Sequence, residues 1–176
     1  MRKHNGMRPQ DIVILLKIIA KNSNPWLYKD LANELYISQS EISESLARST
    51  LAGFFNNNTK TVYRLNVMEF IEHGLHYVFP VLPAAMVNGI PTAHSHPFMK
   101  KHFQTDLEYV WPESKGKIRG LAIEPLYRDV PKAVLQDENL YKMLSLIDVI
   151  RVGKVREWKM AISELKTMIP KHEPSH

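Results

Sequence analysis

Residues 28–52 read YKDLANELYISQSEISESLARSTLA, and the spacing of their apolar side chains constrains the fold more than any other feature of the chain. Leu31, Ala32 and Leu35 recur at helical spacing, and Ile42 and Leu46 do so again after a break at Tyr36 and Ile37. Ser38 opens the second of these helices. Ser38-Gln39-Ser40-Glu41 has the capping-box form, in which the serine hydroxyl takes the Glu41 amide and the Glu41 carboxylate returns to the Ser38 amide. Two helices joined by so short a turn need a small residue where they cross. Ala32 is that residue, and Ser45 is small enough to tuck against it. A preceding helix is predicted over residues 9–21, PQDIVILLKIIAK, with Pro9 in its first turn and Asp11 at its positive end.

With Ile42 and Leu46 inward, the positions left outward are Gln39, Ser40, Ser43, Glu44, Ala47 and Arg48. Ordinary exposed helices carry long charged side chains. A slim polar face suits a helix that fits inside something. In a helix-turn-helix these positions lie in the major groove of DNA. There Gln39 can pair with adenine, Glu44 can accept from a cytosine amino group, and Arg48 can reach guanine or phosphate. Ser38, Ser40 and Ser43 can contact bases or phosphates. Lys60 and Arg64 follow the helix and are expected to add phosphate contacts. The predicted DNA-binding set is therefore Ser38, Gln39, Ser40, Ser43, Glu44, Arg48, Lys60 and Arg64.

The line LANELYISQSEISESL resembles the helix-turn-helix of bacterial winged-helix transcriptional regulators of the MarR-like kind, over about residues 9–52. The segments MEFIEHGLHYVFP, GIPTAH, YVWP, GLAIEPLY and LYKMLSLIDVIRVGKVRE resemble stretches of small bacterial proteins that carry such a domain and are labelled only as regulators. The resemblance implies DNA binding, commonly as a dimer, and no catalysis. The sequence departs from the pattern in two ways. Tyr36 stands where glycine is usual in the turn, and Glu41 and Glu44 precede the first basic residue of the recognition helix, Arg48. No wing is legible: NNNTKTVYR reads as a loop running into a helix.

The rest of the chain reads as mixed structure. A helix is predicted over residues 60–73, a strand or extended segment over LHYVFPVL (75–82), an irregular stretch over 83–114 and a second strand over KIRGLAIEPLY (117–127). Leu140, Met143, Leu144 and Ile147, then Val155, Trp158, Ile162, Leu165 and Ile169, give two C-terminal helices hinged at Gly153 and ended by Pro170. They are mostly core and also offer a dimer interface. The expected fold class is mainly α (α+β): an N-terminal helix-turn-helix or winged-helix domain at 1–58, then an α+β regulatory and dimerisation region at 59–176 with a small two-stranded element.

Composition narrows the chemistry. The chain has no cysteine, so it has no disulfide framework, thiolate metal site or thiol nucleophile. No apolar run approaches the roughly 20 residues that span a bilayer, and the start has no secretory h-region. A cytoplasmic protein is expected. The net charge of +5 permits a polyanionic partner. His94, His96 and His102 lie close in sequence, and His-x-His can supply two metal ligands. Loop histidines without cysteine or nearby carboxylates favour a structural role, so no metal and no cofactor is predicted. The Lys115-Gly116-Lys117 turn tip could touch phosphate or simply be solvated. No Gly-rich phosphate loop and no G-x-S-x-G elbow appears, and no enzyme is expected. The expected partners are double-stranded DNA and a second copy of the chain, with an unidentified small-molecule or protein effector. The competing reading is a protein-interaction module, such as an antitoxin-like partner of another protein.

Overall fold

The computed structural model describes residues 5–170. The chain opens with α1 (Pro9–Lys21), α2 (Tyr28–Leu35) and α3 (Gln39–Leu51). Then come β1 (Phe55–Asn56), β2 (Thr61–Val62), α4 (Arg64–His73) and α5 (Leu75–Val78). The second half holds β3 (Met86–Pro91), α6 (Pro97–Lys100), β4 (Tyr109–Pro112), β5 (Ile118–Ala122), α7 (Val130–Ala133), α8 (Glu138–Val152) and α9 (Val155–Met168). Short 3-10 turns sit at Ala93–Ser95 and Val134–Gln136. The fold is α+β and dominated by helix. No helix among the described residues is long and apolar enough to cross a membrane.

The three N-terminal helices form where their periodicity places them. Asp11 accepts the Arg8 amide at 2.8 Å and so closes the first turn of α1. Ile12 to Leu16 are all fully buried. Leu31 and Leu35 of α2 and Ile42 and Leu46 of α3 pack against them. Ser45 is buried at the junction, as its size allows. Tyr36 resolves the missing glycine by taking the left-handed conformation itself, at φ 57° and ψ 38°. That costs a residue with a Cβ about 1–2 kcal/mol. Distant parts of the chain hold it there: the Tyr127 hydroxyl donates to the Tyr36 carbonyl at 2.9 Å, and the Lys132 ammonium lies 5.8 Å from the Tyr36 ring centre.

Three predicted elements differ. Residues 55–62 form a short antiparallel hairpin, with Phe55 opposite Val62 and Asn56 opposite Thr61. Its two-residue strands are too short to carry a legible alternation. Because Thr61 and Val62 belong to the hairpin, α4 starts at Arg64 instead of residue 60. The aromatic and branched run from Leu75 makes one helical turn, not a strand: only Leu75 is buried, and the following residues find no strand to pair with. The small sheet has three strands, not two, and lies within 86–122. β3 pairs antiparallel with β5 through Met86–Gly89 and with β4 through Gly89–Pro91, while β4 and β5 pair in parallel. The chain changes partner at Gly89, where a Cβ would stand 2.0 Å from the Trp111 carbonyl oxygen. Only glycine fits so close an approach.

Helix α8 is the central post. Every residue from Met143 to Arg151 is buried. Asp148 lies inside it and accepts from Thr92 Oγ1 (2.8 Å), Trp111 Nε1 (2.6 Å) and Arg151 (2.8 Å), which ties the sheet to the helix. Lys17 of α1 reaches Asp137, the N-cap of α8, at 2.5 Å and Glu34 of α2 at 2.7 Å. One hydrophobic core therefore runs from α1 to α9. Position 58, expected as a boundary, lies in the tip of the β1–β2 hairpin. The exposed positions of α9 are Val155, Arg156, Lys159, Ser163, Lys166 and Thr167, so its outer face is polar apart from Val155 in the first turn.

Candidate nucleic-acid interface

The exposed surface of α3 is what its sequence promises for one half and not for the other. Ser38 is the N-cap and accepts the Glu41 amide at 3.2 Å. Gln39, Ser40, Ser43 and Ala47 are exposed, as are Thr50 and Leu51 beyond them. Nothing in the described chain covers this strip. It is slim because its side chains are short, and about 20 Å long at 1.5 Å per residue.

Arg48 is the main correction. It points inward and is 7% exposed. Its guanidinium donates from Nε to Asp11 at 2.9 Å and from one terminal nitrogen to the other carboxylate oxygen at 2.7 Å. The same nitrogen reaches Glu41 at 2.6 Å, and Glu44 stands 3.9 Å away. The Asp11 hydrogen bonds hold Arg48 charged well above the usual range. It therefore does not reach into solvent for a base or a phosphate. Glu41 is taken up by Arg48 and by the Gln10 amide instead of completing the capping box. The consequence for the surface is electrostatic: a buried cation faces Glu41 and lies near Glu44, which lessens what these carboxylates would project toward a polyanion. Among the exposed residues of α3 there is no cation. Arg64 is also buried, in the first turn of α4.

Lys60 remains at the surface, on the hairpin tip, and the structure fixes it there. Its ammonium donates to the Tyr28 hydroxyl at 2.9 Å and to Asn57 Oδ1 at 2.8 Å, and sits 5.0 Å from the Tyr28 ring centre. Asn56 Oδ1 accepts the amides of Asn58 and Thr59, closing the tip, and Lys60 takes a positive φ of 58°. Trp26 stacks on Tyr28 at 6.0 Å and meets Phe55 at 6.3 Å. Tyr28 and Asn57 thus place the tip against the start of α2. The available signal for this was the Asn-rich run, which is turn chemistry between two strand-forming pairs.

The three histidines do not converge. His94 is buried, with Nε2 3.5 Å from Glu157 and its ring against Tyr109. His96 is buried against Tyr141, and its Nδ1 accepts the Phe98 amide at 3.2 Å. His102 is exposed beside Phe98. Among the described residues no group of three His, Asp or Glu side chains is placed to hold a metal ion. Lys115 and Lys117 are exposed on the connection between β4 and β5.

Comparison with known proteins gives no match: no family model, no curated protein and no solved structure is significantly similar to this chain.

Proposed function

We propose that this chain is a sequence-specific DNA-binding regulator of transcription, built on a winged helix-turn-helix similar to the MarR-like kind. The observation that carries the reading is the uncovered strip of Gln39, Ser40, Ser43 and Ala47 on the second helix of a tightly turned pair. Short side chains let a helix approach base edges closely. Gln39 offers an amide for adenine, Ser40 and Ser43 offer hydroxyls, and the Ala47 methyl suits a thymine methyl. The β1–β2 hairpin follows directly and takes the role of a wing, with Lys60 at its tip for phosphate. A homodimer is part of the reading. It would present two such helices to half-sites about one helical turn apart.

A protein-docking module is the second reading. The absence of an exposed cation on α3 favours it, as does Leu51, 69% exposed at the end of the strip. The two are separated by selecting duplexes from a random pool with the purified protein, then titrating salt against the selected sequence. A DNA-binding regulator enriches a defined motif, and its affinity falls as salt rises. A docking module enriches no motif.

A further inference from the structure

The chain's least explained surface lies at the opposite end of its sequence from the helix pair. Helix α9 has two stripes. Ala161, Ile162 and Leu165 are buried in the core. Arg156, Lys159, Met160, Ser163 and Glu164 form the other, at helical spacing, and line a cleft of about 630 Å³. Its far wall is Phe98, His102 and Phe103. The volume suits one small organic molecule.

The lining is divided by chemistry. Phe98, Phe103 and Met160 are half-buried and apolar. Arg156 and Lys159 are exposed and have no carboxylate partner among the described residues, whereas Glu164 is taken up by Lys142. The Lys142 ammonium also sits 4.1 Å from the Phe98 ring centre, which fixes that wall. Two cations beside an apolar floor, without a carboxylate partner among the described residues, are unfavourable to each other and complementary to an anion with an apolar body. Arginine's planar fork suits a carboxylate or phosphate group, and Ser163 adds a hydroxyl donor.

We infer that the cleft between α9 and the Phe98–Phe103 segment binds a small organic anion: a carboxylate or phosphate head held by Arg156 and Lys159, with a flat apolar body against Phe98, Phe103 and Met160. One turn of α9 carries Arg156 on the cleft side and Glu157 against buried His94, so an occupied cleft bears directly on how α9 is seated. The inference does not depend on DNA being the partner of α3.

The test is calorimetric titration of the full chain with 1-naphthoate, 1-naphthyl phosphate and, as the uncharged counterpart, 1-naphthol. Saturable one-to-one binding of at least one anion is expected, with naphthol roughly tenfold or more weaker; the tighter anion identifies the head group. The R156Q/K159Q double variant should lose about tenfold or more in that affinity while melting like the parent, since neither side chain has a carboxylate partner among the described residues. Met160→Trp, which fills the cleft, should abolish binding. Absence of saturable anion binding, equal binding of naphthol, or undiminished binding by either variant overturns the inference. Loss of DNA affinity in R156Q/K159Q without any anion binding also overturns it, and reassigns the two cations to phosphate backbone.

Discussion

The Arg48 guanidinium grips both carboxylate oxygens of Asp11 in the buried seam between α1 and α3, at 2.9 and 2.7 Å. Asp11 is fully buried and also closes the first turn of α1 through the Arg8 amide. This pair sets how α3 is held against the body, and so how the Gln39–Ala47 strip is presented.

Arg48→Ala is expected to unfold or severely destabilise the chain. Removing one partner of a buried pair leaves the other charge uncompensated, which costs about 3–5 kcal/mol. Urea denaturation measures it. In the Asp11→Leu, Arg48→Met double variant the loss should be smaller than for Arg48→Ala alone. If Arg48→Ala keeps the parent's midpoint, the pair does not hold α3.

Tyr36 is held at a positive φ that glycine adopts freely. Tyr36→Gly removes a strain of about 1–2 kcal/mol and adds about 0.5–1 kcal/mol of unfolded-state entropy. The expected result is stability equal to the parent or up to about 1.5 kcal/mol higher, measured by urea denaturation. Tyr36→Val, whose branched side chain suits this conformation poorly, should lower it by about 1–3 kcal/mol. A loss on Tyr36→Gly larger than that on Tyr36→Val would show that the Tyr36 ring, not its backbone, is what the turn requires.

Burial, with the nearby Lys142 charge, pushes the His96 imidazole down to about 4. In the unfolded chain its value is about 6.5. Between these values the unfolded state binds a proton that the folded state does not, so stability falls as pH drops from about 6.5 to about 4. Melting curves across that window should shift down more steeply for the parent than for His96→Gln. Parallel slopes would remove His96 from the account.

The exposed apolar residues Tyr77, Val78 and Leu82 lie within six positions of one another and offer a surface for a two-fold contact, whereas the outer face of α9 is polar apart from Val155. Sedimentation of the parent should give a dimer, and Leu82→Asp should shift it to a folded monomer whose melting temperature, unlike the parent's, does not depend on protein concentration. A parent that sediments as a monomer, or a Leu82→Asp dimer, argues against pairing through this surface.

The three N-terminal helices were legible because their cues are local: apolar periodicity, Ser38 as a cap, and Ala32 and Ser45 as small residues at a crossing. Arg48 is not legible as buried because its partner, Asp11, lies 37 positions away, and a cation on an amphipathic helix reads as solvent-facing until that partner is known. The sheet is only partly legible for the same reason. Met86–Pro91 contains a glycine and a proline, weak strand signals, and forms only through pairing with β4 and β5. The Leu75–Val78 run has strand-forming residues but no neighbour, and tertiary context overrode its propensity.

The most direct test of the account is the affinity of a selected duplex for the parent and for Gln39→Ala and Ser43→Glu. Both positions are exposed and neither side chain is part of the core. The account predicts a loss of about 1–3 kcal/mol for Gln39→Ala, concentrated at one base pair of the site. It predicts a larger loss for Ser43→Glu, which places a carboxylate at the groove, with both variants melting like the parent. Binding of that duplex unchanged by both substitutions would contradict it.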